Sequence, residues 1–228
     1  MGILKGLNKL NSLIEQSEQK SGDREKARWL KLAAGQTVTL QFLQEIDDES
    51  PEYNAKAGTL LVATEHSNPS DFRKKALCTL ESEGQCYGCE MAKKHPKKGW
   101  NARGRLYANV LVDDDSTPPY VAVLSQGISD KSITPSLVSF ANDSGSITNI
   151  SFKVRRSGTG TATGYSIMPK IGSAGANLEG LDLFDLEKSC TWTVPYADQK
   201  AYYGEYKDES ELTEESPFPV TEEAAVEW

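Results

Sequence analysis

His66, Cys78, Cys86 and Cys89 stand at the spacing H-x11-C-x7-C-x2-C in a chain of 228 residues. Two thiolates separated by two residues reach one ion from a single tight turn, and a third cysteine with a histidine completes a tetrahedral Cys3His set. Closing that set draws remote stretches together, which restricts the fold more than any other feature of the sequence. His95, six residues after Cys89, competes with His66 for the fourth position. Reduced, merely packed cysteines are the plain alternative. A redox pair is disfavoured because no βαβ pattern surrounds Cys86 and Cys89. An enclosed four-ligand site has no open position for water, so the expected cofactor is one structural zinc ion per chain. Cys190 has no obvious partner, and three clustered cysteines with one remote fit a reducing compartment better than a disulfide framework.

The formal charge of −8 is unevenly spread. Residues 208–228 carry eight acidic side chains and no basic one, so the rest of the chain sums to zero. Residues 71–105 hold nine Lys/Arg against four Asp/Glu, a local +5. No run approaches the roughly 18 apolar residues of a membrane span, and MGILKGLNKLNSLIEQ lacks the continuous apolar centre of a signal peptide. A cytosolic protein without a membrane partner is expected.

Period-two alternation dominates the middle of the chain. Val38, Leu40 and Phe42 oppose Thr37, Thr39 and Gln41, and further strands are expected at 59–65, 105–113, 120–127, 149–157, 164–170 and 190–195. SGTGTATG reads as a hairpin loop, and TPSLVSFAND as a short helix with Pro135 near its start. Half a dozen short strands around one helix predict a mainly β, partly open barrel. Ile3, Leu7, Leu10 and Ile14 recur at helical spacing, so residues 1–25 read as a helical arm that packs on its own core or on a neighbouring copy. The expected organisation is this arm, a core over 26–195 with a zinc-binding insertion at about 66–100, and a flexible acidic tail over 196–228.

The basic stretch is interleaved with aromatics. Lys93, Lys94, Lys97, Lys98, Arg103 and Arg105 would meet phosphates, and Trp100 and Tyr107 would stack on bases, the pattern of a single-strand binding groove. Arg105 and Tyr107 are expected on one strand face with Leu106 turned to the core. Lys153, Arg155 and Arg156 form a second cationic set, with Phe152 and Val154 inward. For Trp29 and Phe72, core packing is expected ahead of base contact.

Taken in order, RWLKLAAGQTVTLQFL, CTLESEGQCYGCE, GWNARGRLYANVLVD and NISFKVRRSGTGTATGYSIMPK, followed by an acidic tail, resemble the single-stranded DNA-binding proteins of tailed bacteriophages. The resemblance covers roughly residues 26–195 and the character of the tail. It implies an oligonucleotide-binding (OB) fold with a Cys3His zinc subdomain and sequence-independent coating of single-stranded DNA during phage replication, recombination and repair. It further implies the cytoplasm of an infected bacterial host as location. Phe218, Glu222, Glu223, Glu227 and Trp228 of the tail would contact phage replication or recombination proteins.

No phosphate-binding glycine loop and no H-E-x-x-H is present, and two histidines offer no persuasive nucleophile-base pair, so no enzymatic activity is expected. The competing functional class is a zinc-ribbon interaction protein that recruits replication or transcription enzymes.

Overall fold

The computed structural model describes residues 27–113, 118–175, 177–204 and 206. The N-terminal arm expected over 1–25 and the tail residues from 207 onward lie outside that set, among them Phe218, Glu222, Glu223, Glu227 and Trp228.

The described chain is mainly β. Seven strands, β1 (Thr37–Phe42), β2 (Leu61–Asn68), β3 (Asp71–Leu77), β4 (Arg103–Asp113), β5 (Tyr120–Gly127), β6 (Ser151–Ser157) and β7 (Gly164–Pro169), pair antiparallel in one sheet. The order is β3-β2-β4-β1-β6-β7, with β5 on β4. β4 organises this arrangement. Its first half pairs with β2 (Leu61 opposite Tyr107) and its second half with β1 (Leu40 opposite Val112), while β5 runs beside both (Ala108 opposite Leu124). Where the partner changes, Gln44 Oε1 accepts from the Asn109 backbone N–H at 2.9 Å, so the split leaves no orphaned donor. Among the described strands no pairing joins β5 to β7, and the sheet does not close.

Leu106, Ala108, Val110 and Val112 of β4 meet Val38, Leu40 and Phe42 of β1 and Phe152 and Val154 of β6 in the main core. Helix α3 (Thr134–Ser144), third of the five helices among the described residues, closes one end of it with Leu137 buried and Phe140 half-buried. Pro135 occupies its first turn, where a missing N–H costs nothing, and Gly145 ends it at φ 77°. The opposite face of β4 is covered as well. Tyr107 packs with Ala63, Val123, Leu186 and Cys190 in a second cluster, and the Asn109 side-chain amide exchanges two hydrogen bonds with the Phe184 backbone.

The β2–β3 hairpin, α1 (Leu80–Glu83) and α2 (Tyr87–Lys94) project from the sheet as a subdomain with its own core of Ala76, Met91, Trp100, Val194 and Tyr203. Two sequence expectations change here. The strand expected at 190–195 is instead the end of α4 (Leu186–Cys190) and a loop, and the fold continues past 195 into α5 (Tyr196–Tyr203). Gln199 of α5 is fully buried; its side-chain amide donates to Thr79 Oγ1 and to the Val194 carbonyl, each at 2.9 Å, and its carbonyl accepts from Tyr87 N–H at 2.8 Å. The start of the polar region is therefore bound into the subdomain by one well-satisfied amide. β3 is a further strand that alternation did not reveal, since six of its seven residues are incompletely buried.

Candidate metal centre and basic surface

β2 delivers His66, the end of the hairpin delivers Cys78, and the entry and first turn of α2 deliver Cys86 and Cys89. Their four donor atoms lie within 4.8 Å of one another. Cys78 Sγ and Cys89 Sγ are 3.6 Å apart, and Cys89 Sγ and His66 Nε2 are 3.3 Å apart. A tetrahedral ion at about 2.3 Å from sulfur and 2.0 Å from nitrogen requires edges of roughly 3.8 Å between sulfurs and roughly 3.5 Å from sulfur to nitrogen. The donor set fits, and the group can hold one metal ion. His66, not His95, belongs to it.

The surroundings favour a ligand role for His66. Its Nδ1 lies 2.7 Å from the Trp100 carbonyl oxygen; donation there fixes the proton on Nδ1 and leaves the Nε2 lone pair facing the sulfurs. Burial holds the imidazole pKa below its usual value, outweighing that hydrogen bond, and so disfavours the charged ring. Burial, then the neighbouring Cys78 and Cys86 sulfurs, push the Cys89 thiol up to about 12. Burial also opposes the Cys86 thiolate, but the backbone of Cys89 and Thr79 and the adjacent thiols hold it below the ordinary thiol value. Such crowding of thiols is what a dication relieves.

Comparison with protein-family models, with curated proteins and with solved structures finds no match. The chemistry of the surface therefore rests on its own residues.

Lys93, Lys94, Lys97, Lys98 and Arg103 are exposed on or beside the subdomain. Lys153 and Arg155 are exposed on β6 opposite the buried Phe152 and Val154, as the alternation implied. Arg156 is different: it is half-buried, and its Nη1 donates to the Leu32 carbonyl at 2.7 Å, fastening the chain before β1.

Two expected stacking residues are corrected. Trp100 and Tyr107 both have 0% exposure, so neither offers a ring face to a base. Trp100 is wedged among Tyr87, Tyr203 and Tyr206, with ring centroids 5.4–6.1 Å away. Tyr107 donates its hydroxyl to Glu65 at 2.9 Å and accepts from Lys75 Nζ at 2.7 Å; burial, then the Glu65 charge, hold its pKa far above the usual value. The expectation of core packing for Trp29 and Phe72 is corrected in the other direction. Trp29 is 39% exposed and stands edge-on to Tyr107 at 6.1 Å, and Phe72 is 66% exposed on β3 beside Arg73 and Lys74.

Glu65 and Lys75 were missed in the sequence. Both are charged, and only the register of the hairpin shows that one is buried and the other clamps it. Among the described residues no helix is long and apolar enough to cross a membrane.

Proposed function

We propose that this protein binds single-stranded DNA without sequence preference, by phosphate contact with its exposed cations and base stacking on exposed aromatics. The observation that carries the reading is the cluster where the subdomain meets the sheet. There an exposed indole, Trp29, rests on buried Tyr107, with Arg105 and Lys75 held within reach of the same Glu65 carboxylate. Single strands are bound by such pairings of cations with stacking platforms, at about 1–3 kcal/mol per stacked base. Exposed Phe72 and Arg73 on β3, and exposed Lys153 and Arg155 on β6, add the same two kinds of group on strands to either side in the sheet order.

The strand connections support an OB-type core. β1, β4, β5, then α3, then β6 and β7, with β1 paired to both β4 and β6, follow that fold's order except for the closing pair. The metal subdomain is then an insertion between its first two strands. Zinc is the ion we assign to the centre, because three thiolates and one imidazole in a closed tetrahedron are its preferred structural set. In this reading the ion holds the loop in place and takes no part in chemistry. The resemblance to phage single-strand binding proteins agrees with this reading and extends it to replication, recombination and repair.

Filter binding of the full chain, with unlabelled competitors, tests the proposal. Single strands of any sequence should displace a bound thymidine oligonucleotide, and duplex of equal length should not. Equal competition by duplex would leave the alternative, a zinc-ribbon module that recruits other proteins.

A further inference from the structure

Residues 65 and 66 are neighbours on β2 and face opposite ways. His66 turns into the metal centre, whereas Glu65 turns to the other side of the sheet with its carboxylate only 5% exposed. A charge so deeply buried needs partners, and three side chains supply them. Oε1 accepts from Tyr107 Oη at 2.9 Å and from Lys75 Nζ at 3.2 Å. Oε2 lies 3.3 Å from Lys75 Nζ and 3.5 Å from Arg105 Nε. Arg105 is held at its other end by Ser125, whose Oγ accepts from Nη1 at 3.2 Å. The two cations remain about a third exposed, at 34% and 38% of their side chains. They are thus pinned without being sealed off.

Pinning changes what they contribute to binding. A long cationic side chain free in water loses rotamer entropy when it meets a phosphate, which weakens each contact so made. Lys75 and Arg105 are already ordered by Glu65. We propose that Glu65 is a positioning residue that presents Arg105 and Lys75 to the phosphates of a single strand, and that its neighbour His66 makes this presentation depend on the metal centre. The inference rests on the single-strand reading above. The link to the metal is the hairpin: β3 puts Ala76 opposite His66 and Lys75 opposite Ser67, and Cys78 follows one residue after its end. Ligation of His66 fixes β2 at the residue next to Glu65, and ligation of Cys78 fixes the chain leaving β3 three residues after Lys75.

The two obvious roles of a buried carboxylate beside a phosphate site have opposite signs. If Glu65 merely offsets positive charge, Glu65→Gln tightens binding. If it positions the cations, Glu65→Gln weakens binding. The experiment titrates a thymidine oligonucleotide of about 16 nucleotides against the full-length, metal-loaded protein at several salt concentrations. Wild type, E65Q, E65D, R105Q and E65Q/R105Q are compared, with metal content and melting temperature recorded for each. We expect E65Q to bind more weakly, with a salt slope smaller by about 0.7 to 1.4, one or two phosphate contacts. R105Q should add little in the E65Q background, because both changes disable the same unit. Stripping the metal should weaken wild type much more than E65Q. Unchanged or tighter binding by E65Q, or additive losses in the double variant, would overturn the positioning role. Equal metal dependence in wild type and E65Q would overturn the coupling. If E65Q does not fold, E65D decides: it keeps the charge one methylene short of its partners, and wild-type binding by E65D would refute the proposal. A wild-type protein that fails to bind the oligonucleotide rejects the single-strand reading itself, a result distinct from any of these.

Discussion

A Cβ added to Gly88 would lie 2.4 Å from Cγ of the His66 imidazole and 2.7 Å from its Cβ and Cδ2. Helix α2 approaches β2 this closely only because the residue between Tyr87 and Cys89 lacks a side chain. The glycine in CYGC is thus required by the ring that faces it, and the approach brings Cys89 to within 3.3 Å of His66 Nε2.

Gly88→Ala should therefore act on the metal. The imidazole is fastened to the Trp100 carbonyl, so relief of the clash moves either the ring or the helix that carries Cys89. We expect metal affinity to fall about 10- to 100-fold, the usual effect of disturbing a ligand's support. Competition with a chromophoric chelator measures it, and an unchanged affinity would show that the helix absorbs the methyl group without moving its cysteine.

The two tryptophans on either side of the sheet should separate cleanly. Trp29→Ala should lower single-strand affinity by about 1–3 kcal/mol with the salt slope preserved, since stacking releases no counterions. Trp100→Ala should cost about 3–5 kcal/mol of stability, through the aromatic cluster it fills. Oligonucleotide titrations at three salt concentrations, with thermal melts, distinguish them. A slope that changes with Trp29→Ala would mean that the indole orders a cation.

The contrast between these residues shows what the sequence could convey. Strands with one wet face were legible, because Val38, Leu40 and Phe42 alternate with polar neighbours, and β5 runs over the residues expected, 120–127. The grouping of His66, Cys78, Cys86 and Cys89, which could hold a metal ion, was legible because thiolate spacing encodes geometry directly. Tyr107 was misjudged because β4 is buried on both faces, and alternation says nothing of a second layer laid over the polar face by Phe184 and Leu186. Trp100, in the loop before β4, was misjudged because Met91, Val194 and Tyr203, remote in sequence, close round it. The same loss hid α5, whose buried anchors Gln199 and Tyr203 sit in a polar stretch. Long-range register, which pairs Glu65 with Lys75 and Arg105, leaves no local trace.

Glu45 gives the fold an acid-sensitive joint. Burial disfavours its carboxylate, but hydrogen bonds from the Ser146 and Thr148 hydroxyls and the Ile147 and Thr148 backbone N–H groups outweigh burial, and its pKa lies below the usual carboxylate value. A depressed pKa contributes stability that is complete above the ordinary value and is lost as pH falls through the depressed one. Glu45→Gln turns an amide donor toward N–H groups and should cost about 1–3 kcal/mol at neutral pH. The gap to wild type should begin to narrow as pH falls below about 4.5 and close only below the depressed pKa. Melting curves across pH 3 to 7 test this, and a constant gap would place the stabilisation elsewhere.

The acidic residues 208–228 lie outside the described structure, but Tyr206, two residues before them, is described. Tyr206 packs against His95 at 5.1 Å and Trp100 at 5.8 Å, on the subdomain that exposes Lys93, Lys94, Lys97 and Lys98. We propose that the eight carboxylates that follow Tyr206 in the sequence compete with DNA phosphates for these lysines, at the millimolar effective concentration that a covalent tether gives. On that proposal, bound DNA displaces the tail. Truncation after Lys207 should raise single-strand affinity at low salt, and the gain should shrink as salt screens both contacts. The same truncation should abolish contact with replication partners, for which the freed segment ending in Glu227 and Trp228 is the proposed ligand. Equal affinity of the two proteins at low salt would reject the competition. Partner capture by the truncated protein would separately reject the docking role.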